Sequence, residues 1–242
     1  AERKPYPPLH QLSFCKNTSV FINDAKEVAY TLQDFLTKGE VYKFFRFNPD
    51  TPDLFASDGA EHSLRSSKLT PIFTTMMLNK DMISKLMNEL ETVLNIKANK
   101  DEALDIKVLL SKVAFDAICH AAFEYDLKAT SGSDEGQALY NALEVLLAAQ
   151  SKKGVFPIEG LRDVTKEDIF GAQSAWRSFL EKMVLHMGLA SDAVGATSAT
   201  TGGEKSELAL VLKQMMKENG DLYGVKEVMG ELHVLLNHGQ QS

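Results

Sequence analysis

The chain has 242 residues, 44% of them hydrophobic and 24% charged, with a formal net charge of -7. That composition supports a real core and one large domain, read here as 1–242. Its scattered acidic residues leave no basic footprint for nucleic acid, and no apolar run approaches the roughly 18 residues that a membrane-spanning helix needs.

In chain order, KPYPPL is a proline-rich entry that cannot be helical throughout. LHQLSF and SVFI are short strand candidates separated by the turn-like CKNT. Asn23 and Asp24 can cap a helix from Ala25 to about Thr37, closed by Gly39. VYKFFRF has no decisive period. A short helix is expected from His62 to Leu69, ended near Pro71. Met82, Ile83, Leu86, Met87, Leu90, Val93 and Leu94 then mark an amphipathic helix.

The stretch Asp105 to Asp126 is the centre of the reading. It is apolar nearly all round, with Lys112, Asp116, His120 and Glu124 as a narrow polar stripe. Such a helix belongs inside a domain, with the others packed about it. SGSDEG is a loop, and a helix follows from Ala138 to Gln150. Thr165 and Asp168 form a capping-box variant. It opens a helix that carries Phe170, Trp176, Phe179, Leu180 and Met187. Residues 189–205 include the low-complexity GATSATTGG and are expected to be a flexible loop. Helices from Glu207 to Glu218 and from Val225 onward complete a mainly α fold with a small N-terminal β hairpin.

Motifs that carry chemistry are sparse. No HExxH, CxxC, GxxxxGKS, GxGxxG or GxSxG occurs. His120 and Glu124 are one turn apart, which is too few ligands for a metal, and no metal site is expected. Cys15 and Cys119 are too few for a disulfide framework. Trp176 reads as core, and the methionines read as adaptable packing.

Four ordered blocks resemble the N-terminal half of a cytochrome P-450, a haem-thiolate monooxygenase. LSFCKNTSVFINDAKEVAYTL resembles the family's first hairpin and following helix. LFASDGAEHSLRSSKLTPIF resembles its DGexWxxxRrxxxPxF segment. VAFDAICHAAFEYDL resembles its DxIxxxxFxYD helix, and ELHVLLNHGQQS resembles the oxygen-side helix with its AGxET core. The LHQLSF and FEYDL wording is closest to the plastid carotenoid-hydroxylase branch.

The resemblance also shows departures. Asp58, Gly59, Pro71 and Phe73 match, but His62 stands at the Trp position and Ser66 at the Arg position. In the family that pair holds a haem propionate, and a neutral Ser cannot replace a cationic fork. Arg65 is one residue off, at a different helix azimuth. In the AGxET block Gly239 matches. His238 replaces the small Ala, Gln241 the acid and Ser242 the Thr, so the proton-relaying acid is lost. Neither cysteine has the FxxGxRxCxG context of the thiolate ligand. Glu159 to Arg162 spells ExxR by chance, inside a loop.

Together the matches and the departures imply a truncated, degenerate member with no catalytic residue and no cofactor. It would be a structural or interaction subunit of a larger assembly, its partners being other protein subunits. The expected setting is a plastid photosynthetic membrane complex, joined without a transmembrane segment of its own. The alternative is the N-terminal portion of a carotenoid-hydroxylase-like monooxygenase that carries haem.

Overall fold

The structure, a computed structural model, describes residues 9–14, 17–34, 37–38, 42, 53–76, 80–153, 164–189, 206–220 and 223–239. Among these residues the fold is mainly α, with eight helices and one two-stranded antiparallel sheet. The two strand candidates, β1 (Leu9–Phe14) and β2 (Asn17–Ile22), are the arms of one hairpin. Leu9 lies opposite Ile22 and Phe14 opposite Asn17.

α1 (Ala25–Asp34) begins where Asp24 Oδ1 accepts from the Lys26 and Glu27 amides at 2.9 and 3.2 Å. This cap satisfies two of the donors that a helix start leaves unpaired. The helix stops short of Thr37. α2 (Gly59–Met76) starts earlier than expected and continues past Pro71, where a stop was expected. Proline removes one helix donor and crowds the preceding turn. Burial of Leu69 and Ile72, at 1% and 2% exposure, holds the helix on both sides of it.

α3 (Lys80–Asn99) forms where its apolar period lies, but Ile83, Met87 and Leu94 of that stripe are exposed. α4 (Ile106–Phe123) is capped by Asp105, which accepts from the Lys107 and Val108 amides. Glu124 closes it in the left-handed region, φ 52°, with its N–H returned to His120 O. α5 (Asp134–Lys153) starts inside the expected SGSDEG loop, because Ser133 Oγ accepts from Gly136 N–H at 3.0 Å. Gly136 also allows a close approach: a Cβ there would lie 2.6 Å from Ala129 Cα.

α6 (Lys166–His186) opens with the expected capping box between Thr165 and Asp168. α7 (Glu207–Asn219) is capped by Ser206 and ends at Gly220. α8 (Val225–Gly239) completes the described chain. α5 packs on α6, α6 on α8, and α8 against α4; α4 also meets α3 and α7, and α2 packs on α7. Phe115, Phe123, Leu143, Trp176, Leu212 and Leu232 belong to one core cluster. Phe115 and Trp176 stack within it at 6.0 Å.

The central helix departs from its reading at one end. Phe115, Cys119, Ala122 and Phe123 are fully buried, but Ile106 and Leu110 are 55% and 51% exposed. The N-terminal turns of α4 therefore lie at the surface, and α8 carries the longer buried run, Val228 to His233. The polar stripe runs from a buried Asp116 to an exposed Glu124. Asp116 is 4% exposed and accepts from the Ala129 and Thr130 amides at 2.8 and 2.7 Å. Two backbone donors compensate the buried carboxylate, which ties the next turn to the helix.

Of the expected 189–205 loop, Leu189 is buried in the core, and 190–205 lie outside the described residues. So do Cys15, Gly39, the ExxR stretch 159–162 and, except for Tyr42, VYKFFRF. Among the described residues no helix is long and apolar enough to cross a membrane.

Candidate functional site

His62 and Ser66 stand one turn apart on α2, both half-buried. Ser66 Oγ lies 3.2 Å from Thr70 Oγ1, one turn further on. Gly239 is the last residue of α8. The His238 side chain, Gln241 and Ser242 lie outside the described residues. Among the described residues, no hydrogen bond or ion pair joins His62 or Ser66 to α8. Arg65 makes that link instead.

Arg65 is 2% exposed. Its Nη1 donates to Glu231 Oε1 on α8, and its Nη2 donates to Glu61 Oε1 at 2.8 Å. The guanidinium sits over the Tyr223 ring, 5.2 Å from its centroid. Glu231 Oε2 accepts from the Leu54 amide at 2.9 Å. In the same turn Asp53 is 1% exposed, and its Oδ1 accepts from Ala56 N–H at 2.8 Å. Lys38 Nζ donates to Phe55 O at 2.7 Å, and the Lys38 amide donates to Asp58. Two adjoining segments, the turn before α2 and α2 itself, thus meet a carboxylate of the distant α8.

Asp53, Glu231 and Arg65 are all buried, and Glu231 is paired directly with the guanidinium. Burial pushes Glu231 up to about 7, against the pull of Arg65 and the Leu54 amide. Burial, with Glu231 beside it, also raises the Tyr223 phenol. Further along α8, His233 Nδ1 accepts from Trp176 Nε1 at 3.0 Å. An accepting Nδ1 leaves the proton of a neutral imidazole on Nε2.

Metal chemistry finds no support among the described residues. No group of three His, Cys, Asp or Glu side chains could hold an ion there. Cys119 is fully buried, and burial raises its thiol well above the usual range, so it is an inert core residue. An open cavity of about 310 Å³ lies between α3 and Ser131, and a second of about 370 Å³ between α3, α4 and residues 130–132; they share Val93, Ile96 and Ser131. None of the expected haem-side residues lines them.

Sequence reasoning sets Arg65 aside and passes over Asp53, Tyr223 and Glu231. One signal is present. Glu231 interrupts the apolar run VMGELHVLL, and a helix buried there can carry an acid only with a partner. The partner, however, is 166 residues away, and no local pattern points to it.

A sequence model of one family, Cytochrome P-450, matches residues 2–239. No curated protein matches the chain.

Proposed function

As this chain belongs to the cytochrome P-450 family, we propose that it is a non-catalytic member that acts through protein contacts, as a subunit of a larger assembly. The observation that carries this reading is the commitment of Arg65. The family's Arg position is Ser66, whose hydroxyl is shared with Thr70. The neighbouring Arg65 is buried, and both terminal nitrogens are taken by carboxylates. Turning it outward would strand Glu231 in the interior, and breaking a buried pair costs about 3–5 kcal/mol. Lys68, the remaining cation of α2, is paired with Glu218 at 3.2 Å. The side chains of α2 therefore do not fit a haem propionate, and no reaction step is derived through haem.

Exposed apolar residues support the contact role. Ile83, Met87, Leu94 and Ile96 on α3, with Ile106 and Leu110 on α4, are all at least 38% exposed. Apolar surface gathered on neighbouring helices marks a place for a partner. The setting that goes with this proposal is a plastid complex, on the wording of LHQLSF and FEYDL alone.

A second reading is a haem-thiolate monooxygenase of the carotenoid-hydroxylase kind, and the extent of the family match favours it. Haem content decides between them. Native protein, purified with its partners, is expected to hold no stoichiometric haem. Reduced and exposed to carbon monoxide, it should give no thiolate-type absorption band. A stoichiometric band of that type overturns the non-catalytic reading and puts the monooxygenase first.

A further inference from the structure

Glu231 is held by two donors, one on each oxygen: Arg65 Nη1 at Oε1 and the Leu54 amide at Oε2. An ionised carboxylate only accepts, so it satisfies both. A protonated carboxyl must donate from one oxygen, and here both oxygens face donors. The protonated oxygen accepts poorly and must aim its O–H away from the donor in front of it, so one of the two contacts weakens. The contact to Arg65 is charge-assisted and shared with Glu61, so the neutral amide is the weaker of the two. We propose that this cluster is a proton-operated latch, in which uptake of one proton at Glu231 releases Leu54, and with it the Asp53–Asp58 turn, from α8.

Burial favours such uptake near neutral pH, and the surrounding charges set how far it goes. Arg65 faces Glu231 from α2, Asp53 from the turn, and Tyr223 from just before α8. Glu61 shares Arg65, Glu227 lies near Tyr223, and Lys38 sits by Asp53 and Asp58. Desolvation raises the carboxyl and Asp53 adds to it, while Arg65 and the Leu54 amide pull it down. The balance leaves Glu231 at about 7.

The sign gives the latch a signature. The folded carboxyl, at about 7 against an ordinary 4.5, binds its proton more tightly than the unfolded one. Its stabilising contribution is therefore full below about 4.5 and is lost as pH rises through 7. The Leu54 tether forms over that same rise. Global stability and local tethering thus move in opposite directions, which separates a latch from general acid unfolding.

Amide hydrogen exchange of the 242-residue chain tests this at Leu54, after correction for the intrinsic rate. Protection at Leu54 is expected to follow the ionised fraction, falling about tenfold per pH unit below the midpoint. The core amides of Leu212 and Leu232 should not follow it. Glu231→Gln keeps the shape but sets an amide NH2 against one donor, so Leu54 should stay at its low-pH level throughout. A flat Leu54 profile in the wild type overturns the latch, as does a Glu231→Gln chain that keeps the wild-type profile. A carbon-13 titration of the Glu231 carboxyl needs no variant. A midpoint near 7 is expected, and a midpoint in the ordinary carboxylate range overturns the proposal. The result is independent of whether the protein holds haem.

Discussion

α8 buries every residue from Val228 to His233, a carboxylate and an imidazole among them, whereas α3 leaves Ile83, Met87, Leu94 and Ile96 between 38% and 55% exposed. Both helices carry apolar residues at helical spacing. They differ in their neighbours. α8 lies against α4 and α6 and is reached by Arg65 and Leu54 from the other side, while α3 packs chiefly on α4. An apolar stripe permits burial, and the number of elements that can close on it decides how much occurs. The same enclosure lets α8 carry an acid, since only a surrounded helix can supply donors from two other segments.

The contrast can be broken or sharpened by substitution. The largest effect is expected at Glu231. At pH 8, Glu231→Ala leaves Arg65 in the interior with Glu61 alone, and denaturant melts should show a loss of about 3–5 kcal/mol. Raising the pH from 4.5 to 8 should itself lower wild-type stability through this group. If Glu231 acted alone, its move from 4.5 to about 7 would set that loss on the order of 3 kcal/mol. Glu231→Gln should remove this slope from the stability profile, and a slope unchanged in that variant would assign it to other groups.

Leu232→Ala empties a fully buried site one residue along and should cost roughly 3 kcal/mol by thermal or denaturant melting. The smallest effect belongs to α3. Met87 is 55% exposed, and Met87→Ser should change the stability of the isolated chain by no more than about 0.5 kcal/mol. If Met87→Ser instead proved as costly as Leu232→Ala, the contrast between the helices would fail, and Met87 would have to be buried within the chain's own fold.

Much of the architecture was legible because it rests on local signals. Asp24, and Thr165 with Asp168, cap the helices they were expected to open. A cap needs only a side chain and a backbone amide two or three residues away, so sequence spacing is enough to reveal it. The family resemblance was legible for a related reason: its blocks keep their order along the chain, and the family match over 2–239 agrees with it. The candidate site was legible only in part. His62, Ser66 and Gly239 could be aligned with the family's motifs, and these positions say what is absent.

Tertiary structure decided the rest. Pro71 inside α2 is tolerated because Leu69 and Ile72 are buried beside it, and propensity cannot show that support. Asp116 belonged on paper to a polar stripe, yet it is buried because Ala129 and Thr130 turn their amides back to it. Ile106 and Leu110 were expected inside and lie outside, because nothing closes over the first turns of α4 among the described residues. Arg65 and Glu231 show the limit most plainly. By itself the sequence determined that each lies on a helix. That they meet, with Leu54 as third partner, depends on contacts 166 and 177 residues apart. Such contacts form only when the whole chain has folded, because a buried charge finds its counter-charge through space and leaves no periodicity along the sequence.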